Sequence, residues 1–178
     1  GTTTVWYSLA SGSATANVYT ATSAQDVDAV GFFTKSANVG YSVSVYANPT
    51  SATDPSSGTL VASASGTETY AGYHTVALDD PATLSSGETF AVVVTLTSAD
   101  GTNVWLAMDQ TTGYAEGYVT DTQSTTAQTT GQSFRRVGPA GASWIDMASN
   151  SATARIKAFT TDVTSFSLSY HTAMTGVT

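Results

Sequence analysis

The chain has no cysteine among its 178 residues. That removes a thiol nucleophile, a thiolate-ligated zinc and a dithiol redox pair from its chemistry. A chain of this length buries roughly 70% of its unfolded surface and holds a core without disulfides. Charge is scarce too: Asp, Glu, Lys and Arg make up 10% of the residues, with 13 acidic against 5 basic and a net charge of −8. Such a balance repels phosphate backbones, so nucleic acid is not an expected partner. No apolar run approaches the roughly 20 residues that span a bilayer, and no signal-peptide pattern stands at Gly1, so membrane insertion by this fragment is not expected. Gly1 and the abrupt end at Thr178 read as cut points, and the chain is expected to be a piece of a larger protein with covalently linked neighbours.

With so little charge, the solvated faces must be covered by Ser and Thr. Thr and Val lose rotamer freedom on a helix and favour strands. Period-two alternation recurs along the chain. In Tyr41–Ala47 the set Tyr41, Val43, Val45 and Ala47 falls on one face, and Ser42, Ser44 and Tyr46 on the other. Thr89–Leu96 is apolar on both faces over its middle and reads as a central strand. Strands are also expected at Val27–Thr34, Thr75–Leu78, Val104–Met108 and Ala154–Phe159. Between them lie turn signals at Asn48-Pro49, Asp54-Pro55, Ser57-Gly58, Asp79-Asp80-Pro81, Ser86-Gly87 and Asp100-Gly101. Their spacing predicts a single all-β domain, an antiparallel β-sandwich.

Catalytic signatures are missing. There is no His-Glu-x-x-His zinc helix, no Gly-rich phosphate loop with Lys and no Gly-x-Ser-x-Gly elbow. His74 and His171 are the only imidazoles; His74 starts a strand beside Tyr73 and is expected to be structural. The chain is therefore not expected to be an enzyme. Asp26 and Asp28 have the spacing that opens a calcium loop, but Val30 occupies the third ligand position. Asp79 and Asp80 are expected to cap a turn. No cofactor is expected, although calcium held by turn carboxylates and backbone carbonyls is compatible with a sandwich.

Aromatic side chains are the better lead, because sugars stack on Trp and Tyr faces while Asp, Asn and Gln bond to their hydroxyls. Trp105 alternates against Val104 and Leu106 and precedes Asp109. Tyr114, Glu116 and Tyr118 fall in the long irregular stretch that follows, and Trp144 is followed by Asp146. The candidate ligand-binding set is Trp105, Asp109, Tyr114, Glu116 and Tyr118, each of which also has a plain packing role open to it. The partner expected there is a glycan or another cell-surface ligand.

An ordered set of phrases resembles the lectin-like domain of archaeal and bacterial cell-surface proteins, often appended to papain-like cysteine peptidases. It begins with Ala16-Asn-Val-Tyr-Thr20 and Ala29-Val-Gly-Phe-Phe-Thr34, and continues through Tyr41–Tyr46, Tyr70–Leu78 and Gly87–Val94. It ends with Gly131-Gln-Ser-Phe134, Ser143-Trp-Ile-Asp146 and Ile156-Lys-Ala-Phe159. The resemblance implies a jelly-roll-like sandwich, an extracellular, cell-surface setting and attachment to a larger adhesin or surface peptidase. The chain departs from the family at Phe134-Arg-Arg136 and in its Thr/Gln tract before Gly131. Residues 1–161 are expected to form this domain, and 162–178 a last strand or a linker into a following domain. Two functions stay open: a non-catalytic recognition domain, or a structural stalk that positions a neighbour without a ligand of its own.

Overall fold

The computed structural model describes residues 3–110 and 129–163. They form strands β1 (Thr3–Leu9), β2 (Ala14–Thr20), β3 (Gln25–Thr34), β4 (Val39–Ala47), β5 (Thr59–Glu68) and β6 (Gly72–Leu84). These are followed by β7 (Thr89–Ser98), β8 (Val104–Gln110), β9 (Ser133–Arg136), β10 (Trp144–Asp146), a 3-10 turn (Met147–Asn150), β11 (Ala152–Ala154) and β12 (Lys157–Asp162). Every pairing between strands is antiparallel. One layer is a six-stranded sheet of order β10-β9-β2-β7-β4-β5. The other is two three-stranded sheets, β1-β8-β11 and β12-β3-β6. The fold is an all-β antiparallel sandwich, as the alternation predicts.

The main core lies between the layers. Val43, Val45, Val92, Val94 and Leu96 of the six-stranded sheet face Val27, Val30, Leu84, Leu106 and Met108 of the opposite layer. Each Val or Leu taken out of water there contributes about 1.5–3 kcal/mol. β7 is buried without a break from Phe90 to Val94 because it is covered twice. Its even-numbered residues enter the main core, while Val93 joins a second cluster with Ala14, Ala16 and Phe134 on the outer face of the same sheet.

Two expectations are corrected. Asp79-Asp80-Pro81 is no turn: β6 runs through it to Leu84. The register shifts there, with Ala77 opposite Ala29 and Ala82 opposite Val27, so the segment from Leu78 to Pro81 faces only Asp28. A bulge interrupts the ladder and tolerates Pro81, which has no N–H to donate. The run Ala154–Phe159 is likewise not one strand. It breaks at Arg155 and Ile156, where the chain leaves β8 as its partner and joins β3. The turns at Asn48, Gly87 and Gly101 do form, each with the positive φ that Asn and Gly tolerate best.

Candidate functional site

Trp105 and Asp109 sit on the outward face of β8, with Trp6 of β1 in register with Ala107 between them. They line different hollows. Trp105 borders one of about 420 Å³ at the end of the sandwich, with Asn38, Ser98, Asp100 and Asn103. One face of its ring is covered by the Lys35 ammonium, 3.7 Å from the ring centroid. Asp109 borders a hollow of about 450 Å³ with Phe33, Tyr73 and Lys157. Its carboxylate is paired with Arg155 (Nε to Oδ1, 3.2 Å), whose guanidinium lies 4.4 Å from the Phe33 ring centroid. Tyr114, Glu116 and Tyr118 lie outside the described residues.

Polar groups along these hollows are mostly engaged. Asp100 accepts from the Ser98 and Thr102 hydroxyls and from the Thr102 N–H, and these bonds hold its carboxyl at about 2. Burial raises the Tyr19 phenol above its ordinary value, against a bond from the Asn17 amide; its O–H donates to the Ile156 carbonyl at 3.0 Å. His74 bridges Glu68 (3.0 Å) and Thr34 (2.8 Å) between neighbouring strands, in agreement with a structural role. Asp26 and Asp28 accept from the Thr83 and Thr161 hydroxyls. Among the described residues no three His, Asp or Glu side chains converge as a metal site.

A larger cleft among the described residues lies elsewhere, on the outer face of the six-stranded sheet, with a volume of about 730 Å³. Strand register builds its floor. Ser42, Thr95, Ala14, Arg136 and Trp144 form one row across β4, β7, β2, β9 and β10. Ser44, Val93, Ala16 and Phe134 form the next. Small side chains in the middle leave a trough, and its walls are Tyr46, Trp144 and the segments carrying Asp54, Ser56 and Pro139–Ser143. The Trp144 indole packs on the second apolar cluster and donates its N–H to Ser56 Oγ at 3.4 Å, with the Arg136 guanidinium 5.0 Å from its ring centroid. Asp146, two residues on, does not serve the cleft. Its carboxylate caps the 3-10 turn at Ala148 N (2.9 Å) and accepts from Gly131 N (2.7 Å).

The sequence carried partial signals of this cleft: the hydroxyl face of Tyr41–Ala47, Trp144, and the departure at Arg135-Arg136. Nothing local joined them, because the row forms only when β9 pairs with both β2 and β10.

A family model described as the lectin-like domain matches residues 1–160. The chain belongs to the lectin-like domain family. Among solved structures, this lectin-like domain is similar to the cysteine protease and lectin-like domains of Cwp84, a surface layer associated protein of Clostridium difficile. The TM-score is 0.64 and the identity 22%, over 90% of this chain and 36% of that one. The clostridial cysteine protease Cwp84, in an alanine-substituted form after propeptide cleavage, gives the same TM-score and identity over 90% of this chain and 40% of its own. At that identity the likeness shows the fold alone, and this chain spans well under half of either protein. Comparison with curated protein sequences gives no match.

Proposed function

We propose that this lectin-like domain is a non-catalytic, extracellular recognition module of a larger surface protein, and that it holds carbohydrate in the cleft over the six-stranded sheet. The supporting observation is the pairing of a hydroxyl-lined floor (Ser42, Ser44, Thr95) with a Trp144 wall in one concave site. A pyranose ring offers an apolar face to an indole and a rim of hydroxyls to Ser and Thr, and both kinds of surface line this cleft. The cell-surface setting of the solved relative supports an extracellular location.

A glycan array probed with the folded domain tests the reading, using Ser44→Trp to fill the floor and Trp144→Ala to remove the wall. Binding is expected for the native domain, lost in Ser44→Trp and weakened about tenfold in Trp144→Ala. Absence of glycan binding by a folded native sample overturns the proposal and returns the stalk role.

A further inference from the structure

Among the described residues, Arg136 is a buried cation with no carboxylate in ion-pair contact. It is 7% exposed, and its side chain donates to neutral carbonyls: Nε to Gly138 O at 3.3 Å and Nη2 to Gly12 O at 3.2 Å. A guanidinium carries five N–H donors, so these two bonds leave most of its fork unspent. Among the described residues the ion pairs within 4 Å are His74–Glu68 and Arg155–Asp109, and Arg136 is in neither. Asp54, the acid lining the same cleft, is engaged instead by the Ser56 N–H (2.8 Å) and hydroxyl (2.6 Å).

A desolvated charge without a counter-charge is costly, and proteins that keep one commonly pair it. Burial lowers the Arg136 pKa from its ordinary value, while the more distant Tyr46 and Asp54 pull it back up only in part. The guanidinium lines the trough and shares its cross-strand row with Trp144, lying 5.0 Å from the centroid of that ring. The two loop carbonyls that hold Nε and Nη2 fix the plane of the fork, which is the preorganisation that bidentate carboxylate binding requires.

We infer that the cleft selects acidic sugars, with Arg136 receiving the carboxylate of a uronic-acid residue that lies on the Ser42, Ser44 and Thr95 floor beside Trp144. The inference rests on the carbohydrate reading above and narrows it to one ligand class. It also gives this strongly acidic domain a local cation for a polymer its net charge would otherwise repel.

The test compares tetragalacturonate with the same oligosaccharide after carboxyl reduction, which replaces each carboxylate with a hydroxymethyl group. Isothermal titration of the native domain is expected to show the acid form binding at least tenfold tighter, with that advantage shrinking as salt rises. Arg136→Gln is expected to erase the difference. Because Arg136 also ties the Gly12 and Gly138 loops, a second variant leaves it in place. Thr95→Glu puts a carboxylate in the same row, two strands away, and is expected to abolish the preference with the native fold retained. Equal binding of the two forms overturns the acidic-sugar inference and leaves the carbohydrate reading standing. A preference that survives in both variants also overturns it. Failure of both forms to bind, when neutral glycans bind on the array, overturns this inference alone; no glycan binding of any kind overturns both.

Discussion

The Lys35 ammonium stands 3.7 Å from the centroid of the Trp105 ring and 5.9 Å from that of Trp6, linking the end of β3 to β8 and β1. The two three-stranded sheets are paired to different neighbours, so this contact bridges the seam between them. It also covers one face of the Trp105 ring. Lys35→Met keeps the stem and removes the charge. It is expected to cost about 0.5–1 kcal/mol in urea unfolding and to shift tryptophan emission. Unchanged emission and stability would mean that the ammonium does not rest on the ring in solution.

Asp146 joins the 3-10 turn to the segment entering β9, through Ala148 N and Gly131 N. Asp146→Ala leaves both donors without their acceptor, at an expected cost of about 1–2 kcal/mol; Asp146→Asn, which keeps one acceptor oxygen, costs less. Chemical denaturation of the two variants side by side gives the order.

Glycine at 58 is required by packing. A Cβ there would overlap the Ala47 carbonyl and stand 3.0 Å from Pro49 N, both of them backbone. At Gly66 the obstacle is the Tyr41 hydroxyl, the far end of a side chain that can move. Gly58→Ala is expected to destabilise by about 1–3 kcal/mol and Gly66→Ala by clearly less. Equal midpoints for the two variants would contradict the rigid approach at position 58.

The Asp100 carboxyl is held at about 2 against an ordinary 3.8, first by the Ser98 hydroxyl and then by the Thr102 hydroxyl and N–H. A depressed folded-state pKa stabilises the fold above the unfolded value. The contribution is full above about pH 4 and fades as pH falls towards 2. Carbon NMR titration should place the Asp100 midpoint near 2, and Ser98→Ala should raise it towards 3.8. An ordinary midpoint in the native domain would rule out the hydrogen-bonded cage.

The strands that were legible in the sequence are those whose two faces differ, or that are buried on both. Val39–Ala47 alternates because one face enters the core, and Phe90–Val94 is apolar throughout because β7 has a cluster on each side. Asp79-Asp80-Pro81 misled because a bulge and a turn ask the same things of local chemistry: a residue without a ladder N–H and polar neighbours that face water. Only the partner strand decides between them, and β3 supplies partners on both sides of the interruption. Of the sequence's candidate site residues, Trp105 and Asp109 share a face of β8 but serve separate hollows, since each is drawn to a different cation from a different segment.

By itself the sequence determined the all-β class, the exclusion of thiol chemistry and the hydroxyl character of the surface. Alternation, composition and residue type are local properties, and they survive without knowledge of any partner. The tertiary structure decided which hydroxyl face became a cleft and which cation was left unpaired inside it. Thr95, Ala14 and Arg136 are distant in the chain and meet only through the register of β7, β2 and β9. Cross-strand neighbours of this kind are set by long-range pairing, which the order of residues along one strand does not encode.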